Sequence, residues 1–295
     1  MASFAPDIIT QIGPLPITNT LLHTLIVDGV LIALALTIYK NLKTIPHSLQ
    51  AIIEPVIEAM YSLTESIATS KIATQRIFPY VMTFFLFILT ANFTGLLPGV
   101  GTIGFHKDGA THSQAISKAH ATEPAHEENT VNHEATPVGK EKAVEHTSDA
   151  AHTEASFIPL LRGATSDINL TLALAIISVV VTHMLSIQVT GINDYLARYF
   201  SFNPINLYVG LLELVAEVTK IISLSFRLFG NIFAGEIALH TISNLVAFVA
   251  PLPFLLLESI VSIVQALVFS VLTLVFMAVL TTPHHNEAHE GVSHA

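Results

Sequence analysis

The sequence predicts an all-α polytopic membrane protein: about three near-upright transmembrane helices, one amphipathic interfacial helix, and a C-terminal hairpin of two long, strongly tilted helices. Composition is the first ground. Of 295 residues, 52% are hydrophobic, and the charged residues are 12 Lys or Arg and 22 Asp or Glu, about half the roughly 25% of an ordinary soluble domain. The second ground is where those charges lie: 14 fall in residues 100–163 and 2 in 283–295, which leaves 18 over the other 218 residues. So few cannot cover a soluble surface, and a conventional soluble enzyme is excluded. The third is a series of apolar stretches of spanning length separated by polar segments. The net charge of −10 offers no basic footprint for nucleic acid, and the absence of cysteine excludes disulfides and Cys-ligated metal sites.

The chain divides into N-terminal spans with an amphipathic helix (1–99), a polar insertion (100–163), a transmembrane helix followed by the hairpin (164–282) and a polar tail (283–295). The first apolar stretch, Thr20 to Tyr39, is long enough to cross a hydrocarbon core of about 30 Å. No basic residue precedes Lys40, so it lacks the positive leader of a cleaved signal peptide and reads as a retained span. Residues 47–70 carry Leu49, Ile52, Ile53, Val56, Ile57, Met60, Leu63 and Ile67 at helical spacing, with Glu54, Glu58 and Glu65 off that stripe. This amphipathic helix has an acidic face, so docking on protein and lying on lipid remain even alternatives.

Ile77 to Leu97 has no charged residue and ends in a Gly-Leu-Leu-Pro-Gly turn signal. Residues 100–163 then switch to Ala, Thr, Ser, Glu and histidine with little apolar periodicity, and read as a disordered or loosely ordered loop. Its seven histidines, His106, His112, His120, His126, His133, His146 and His152, lack the close pair spacing of a zinc site. A solvated insertion is the plainer reading, and gathering protons near a channel mouth the sharper one. Ile168 to Thr190 is uncharged and of spanning length. A helical pattern follows from Pro204 to Ala247, with a second from Leu252 to Thr282. As one straight helix the first would run about 60 Å, so either it breaks or the hairpin lies flat in the membrane.

Lys40, Lys43, Lys71, Arg76 and Arg198 flank the spans on one side. The positive-inside rule makes that side cytoplasmic, with the insertion outside and the C-terminal tail inside. Four lysines and Arg162 in the insertion run against this assignment.

Ionisable residues in apolar helices cost about 2.5–3.5 kcal/mol each at a helix centre and normally mark an ion pathway. At about 100° per residue, Glu213, Glu217, Lys220, Arg227 and Asn231 fall in one arc of roughly 80°, whereas Glu236 and His240 face the other side. Glu258, Ser262 and Gln265 form a stripe on the second helix. Folding the hairpin about residue 250 sets Glu258 opposite position 242 and Gln265 opposite position 235. Glu258 should therefore meet His240 and Glu236 near the closed end, with Gln265 deeper.

Ser223-Leu-Ser-Phe-Arg-Leu-Phe-Gly-Asn-Ile-Phe-Ala-Gly-Glu236 resembles the signature of subunit a of F-type ATP synthases. The resemblance extends to Leu-Leu-Glu213, Ile263-Val-Gln265-Ala-Leu-Val-Phe, Ala91-Asn-Phe-Thr-Gly-Leu-Leu-Pro98 and Ser166-Asp-Ile-Asn-Leu-Thr-Leu-Ala173, in the family's order. It implies a stator subunit with no nucleotide site and no cofactor, set against a ring of c subunits and joined to the peripheral-stalk b subunits. Two offset half-channels would bring protons to the ring and take them away. Arg227 matches the family's ring-facing arginine, and Glu236 its outer carboxylate. Glu258 stands where other members have histidine or glutamate, which leaves open whether His240 or Glu258 partners Glu236. Asn231 and Gln265 match polar positions flanking the arginine, with Ser223 in the same motif. Glu213 and Glu217 suit the inner exit, and Asp167 and Asn169 the outer entry.

Plainer readings stand beside these. Glu213, Glu217 and Lys220 could form a solvated stripe end, Glu236 and Glu258 a charge pair ordering the hairpin, and His23 and His183, alone in apolar spans, packing residues. No Gly-x-x-x-x-Gly-Lys-Ser/Thr loop occurs. The rival function is a stand-alone ion-coupled secondary transporter, which predicts internal repeats with paired broken helices. A second rival is a membrane scaffold with a histidine-rich metal sensor. Missing targeting signals favour a bacterial inner membrane over a mitochondrial one.

Overall fold

A computed structural model describes residues 6–12, 15–43, 49–68, 70–101, 103–107, 156–192, 195–196, 204–245, 249 and 251–281. The seven insertion histidines other than His106, and the tail, lie outside them. Most of the described chain belongs to one compact unit, residues 1–103 with 159–295; residues 104–158 form a second. In the first unit, α1 spans Asn19–Lys40, α2 Leu49–Ile67, α3 Lys71–Gly95, α4 Ile168–Thr190, α5 Pro204–Leu245 and α6 Pro251–Thr281. A short hairpin of β1 (Ile8–Ile12) and β2 (Leu15–Thr18) precedes α1, and β3 (Pro98–Gly101) follows α3. The second unit carries β4 (Gly104–Lys107), which pairs with β5 (Ser156–Pro159).

Four helices, α1, α3, α4 and α6, are long and apolar enough to cross a membrane, and the protein is a multi-pass membrane protein. The α3 helix begins at Lys71 rather than Ile77, because Ser70 caps it by accepting from the Ala73 amide at 3.2 Å. The α5 helix is continuous over 42 residues, so the flat-lying alternative stands and the broken one does not. At 1.5 Å per residue it runs about 63 Å, twice the hydrocarbon thickness.

The core forms where α3, α4, α5 and α6 meet, with Ile77, Val81, Ile88, Leu228, Leu274 and Met277 almost fully buried. Small polar side chains tie these helices where lipid offers no hydrophobic drive between them. Ser178 Oγ lies 2.8 Å from Thr273 Oγ1, and Ser186 Oγ donates to the Leu280 carbonyl at 2.8 Å. The amphipathic helix α2 docks on protein through its C-terminal half: Met60 is buried, Val56, Leu63 and Ile67 pack on the core, and Tyr61 meets Phe78 edge-on. Ile52 and Ile57 stay exposed. Outside that bundle α1 leans on α3 and on the 3-10 turn Ala164–Ser166.

Candidate functional site at the loop end of the bundle

The chain leaves α3 through Gly99 and Gly101, both with positive φ, a conformation that glycine adopts without a Cβ penalty. It returns beside itself: Gly101 donates to the Leu161 carbonyl at 2.8 Å, and Leu160 to the Ile103 carbonyl at 2.8 Å. These bonds deliver Arg162 into the bundle. Read from sequence as one basic residue of a solvated loop, Arg162 is buried at 5% exposure. The signal lay in its neighbours, since Phe157 to Leu161 is an apolar run carrying a single cation.

Arg162 lines a cavity of about 310 Å³ together with Asn92, Thr165, Gly235, Glu236, His240, Asn244, Glu258 and Ser262. Its Nε lies 3.4 Å from Glu236 Oε1, and its guanidinium carbon 6.0 Å from the centre of the Phe233 ring. Thr165 Oγ1 donates to Asn92 Oδ1 at 2.7 Å, and Asn244 Nδ2 lies 3.2 Å from His240 Nδ1. The cavity thus gathers two carboxylates, a guanidinium and an imidazole from three chain segments. Such a set can hold water and exchange protons in an otherwise apolar bundle.

The predicted meeting of Glu236, His240 and Glu258 is present, but at a different register. The carboxylate of Glu258 lies against Gly235, where a Cβ would collide with it, rather than opposite position 242. Two features cause the shift. The helices end at Leu245 and begin at Pro251, which moves the fold point toward the N-terminus from residue 250. Gly235 also offers no side chain, which leaves room beside it for the Glu258 carboxylate. Gln265 is buried but is not among the cavity's lining residues.

Asp167 and Asn169 do not line the cavity either. Asp167 caps α4 by accepting from the Asn169 amide at 2.9 Å, and its other oxygen accepts from Thr20 Oγ1 at 2.9 Å. Asn169 is exposed. His23 is buried on α1, its Nδ1 accepting from the Ala164 amide at 2.9 Å.

At the opposite end a more open groove of about 460 Å³ is lined by Lys220, Ser223, Thr219 and Phe276. Lys220 Nζ donates to Glu217 Oε1 at 2.7 Å and sits 4.8 Å from the centre of the Phe276 ring. Glu217 is buried between helices, its second oxygen 3.5 Å from His183 Nε2. His183 is therefore not the lone packing residue that its apolar surroundings suggest. One arc on α5 thus splits by environment: Glu217 buried, Glu213, Lys220 and Arg227 half-buried, Asn231 and Ser223 exposed. Arg227 lines neither recess, and among the described residues no carboxylate pairs with it.

Fold and site together define a mostly helical integral membrane protein whose longest helix carries ionisable residues toward two recesses. Comparison with known proteins gives the family. Residues 20–278 match the family described as ATP synthase A chain, and the chain belongs to that family. Membership assigns a role in the membrane sector of an F-type ATP synthase. It is similar to "ATP synthase subunit a" of Moorella thermoacetica, 24% identical over 278 residues, which cover 94% of this chain and 97% of the relative. A Legionella pneumophila (strain Paris) protein of the same description is 25% identical over 269 residues, 91% of this chain and 88% of that one. One from Campylobacter jejuni (strain 81-176) is 40% identical over 124 residues, 41% of this chain and 54% of that one.

Proposed function

We propose that the chain is the proton-conducting stator subunit of a rotary F-type ATP synthase, itself without a catalytic site. It works in a bacterial inner membrane against the c-ring and beside the b subunits of the peripheral stalk. The loop-end cavity is the outer half-channel, where Glu236, His240 and Glu258 exchange protons with outside water. Asp167 and Asn169 stand at its entry, and Asn231 and Gln265 lie on the way to the ring. The groove at the opposite end, with Lys220, Ser223 and the neighbouring Glu213 and Glu217, is the inner half-channel. Arg227 stands between them.

One observation carries the reading: two recesses, each lined in part by polar or charged side chains, lie toward opposite ends of the hairpin, and Arg227 lies in the interval without lining either. A guanidinium stays protonated where a buried amine can lose its proton. It therefore stabilises an ionised ring carboxylate in front of it and blocks protons from passing straight between the recesses. Protons must then travel on the ring, and each charge crossing the potential delivers about 2.3 kcal/mol per 100 mV. Arg227→Ala in the assembled complex should abolish ATP synthesis driven by an imposed proton gradient. Normal synthesis in that variant would refute the stator reading.

A further inference from the structure

The opposite end of the bundle holds a hydrogen-bonded cluster that reaches beyond the family motifs. His183 on α4 has both ring nitrogens engaged: Nδ1 lies 2.9 Å from the Tyr195 hydroxyl and Nε2 3.5 Å from Glu217 Oε2. Glu217 is 6% exposed, and its other oxygen accepts from Lys220 Nζ at 2.7 Å. The Phe276 ring of α6 sits under that ammonium at 4.8 Å. The charged and titratable groups facing Glu217 in this cluster are thus His183 from α4 and Lys220 from α5, with Tyr195 behind the imidazole and only an aromatic ring from α6.

We propose that His183 is a proton-exchange residue of the inner half-channel, through which Glu217 passes protons between the groove and the inner aqueous phase. This rests on the two-half-channel reading above. Lys220 both lines the groove and donates to Glu217. That bond occupies one Glu217 oxygen, and the other lies 3.5 Å from the imidazole. Histidine is the side chain whose charge ordinarily changes between about pH 5 and 8, and its two nitrogens let it accept a proton on one side and release it on the other. The Tyr195 hydroxyl orients the ring and stands next to the releasing nitrogen. Along α5, Glu217 lies ten residues before Arg227, about 15 Å at 1.5 Å per residue, and His183 lies seven residues, about 10 Å, from the end of α4. The cluster spans the stretch between the arginine and that end.

The test uses the complete synthase reconstituted in vesicles, with gradient-driven ATP synthesis and ATP-driven proton pumping read at a series of inner-side pH values. His183→Gln should slow both several-fold at unchanged assembly and flatten the dependence on inner-side pH. Tyr195→Phe should fall between that variant and the parent. A packing role alone would leave the pH profile unmoved, so a parental rate and profile in assembled His183→Gln overturns the proposal. Where His183→Gln does not assemble, Tyr195→Phe carries the same measurement, and an unchanged profile there overturns it too. Arg227→Ala run in parallel separates the two claims. Synthesis surviving that substitution defeats the stator reading itself, whereas its loss beside an unaltered His183→Gln defeats only the role of His183.

Discussion

The two ends of the bundle solve the same problem, keeping ionisable groups inside an apolar protein, by different means. At the loop end the charges come from far apart in the chain: Arg162 from the returning segment, Glu236 and His240 from α5, Glu258 from α6. Tertiary structure brings them together, and the cavity lies within the bundle. At the opposite end Glu217 and Lys220 are three residues apart on one helix, their bond is set by helical geometry, and the groove beside them is open. The difference teaches where each end is vulnerable. The loop end depends on the space that Gly235 leaves for the Glu258 carboxylate and on a segment outside the helices, while the opposite end depends on a local pair and one imidazole.

The largest effect should come from Gly235→Ala. A Cβ there collides with the Glu258 carboxylate, and since that group is the far end of a flexible side chain, it moves and the helices do not. Alanine also favours a helix by about 0.8–1.0 kcal/mol over glycine. Assembly should therefore be kept or improved while proton-driven synthesis falls sharply. Made in a Glu258→Gln background, the same change should add little, because both act on one group. Full additivity would break the claim that the loop end is organised around this approach. Next comes Arg162→Ala, which removes the buried cation beside Glu236 and the packing over Phe233. The solubilised complex should lose about 1–3 kcal/mol of stability, the range for leaving a buried polar group without its partner, toward its lower end because Glu236 is more than a third exposed. Thermal unfolding of the purified complex reads it, and Arg162→Lys should recover part of the loss.

How much of this was legible in the sequence follows the same division. The spanning helices were, because uncharged blocks of spanning length leave little choice; α4 runs over Ile168–Thr190 as its hydropathy indicates, although α3 starts at Lys71, before the block that begins at Ile77. The facing of Arg227 away from Glu236 followed from 100° per residue alone. Glu258 of α6 was expected beside Glu236 and His240 of α5, but most else that needed a second chain segment escaped. Arg162 ends a short apolar run in sequence and sits among helices in space. His183 has no sequence-near partner, since Glu217 is 34 positions away. The register of α5 on α6 depended on where two helices stop and on one missing side chain, neither of which periodicity reports.

The smallest effects compare the ties that hold each end. At the loop end Thr20 Oγ1 donates to Asp167, which also caps α4. Thr20→Val removes the donor but leaves the carboxylate its second partner, so the loss should be about 0.5–1.5 kcal/mol. At the opposite end Ser186 donates to the Leu280 carbonyl one residue from the terminus of α6, among the last carbonyls that a helix cannot satisfy within itself. Ser186→Ala removes one neutral interhelical bond to a carbonyl, so the cost should approach the roughly 0.6 kcal/mol average of interhelical hydrogen bonds in membrane proteins. Thermal midpoints of the two variants in one detergent rank them. An equal or larger loss for Ser186→Ala would mean that the bond to the carboxylate at the loop end is worth no more than a neutral bond at the opposite end, and the contrast between the two ends would fail there.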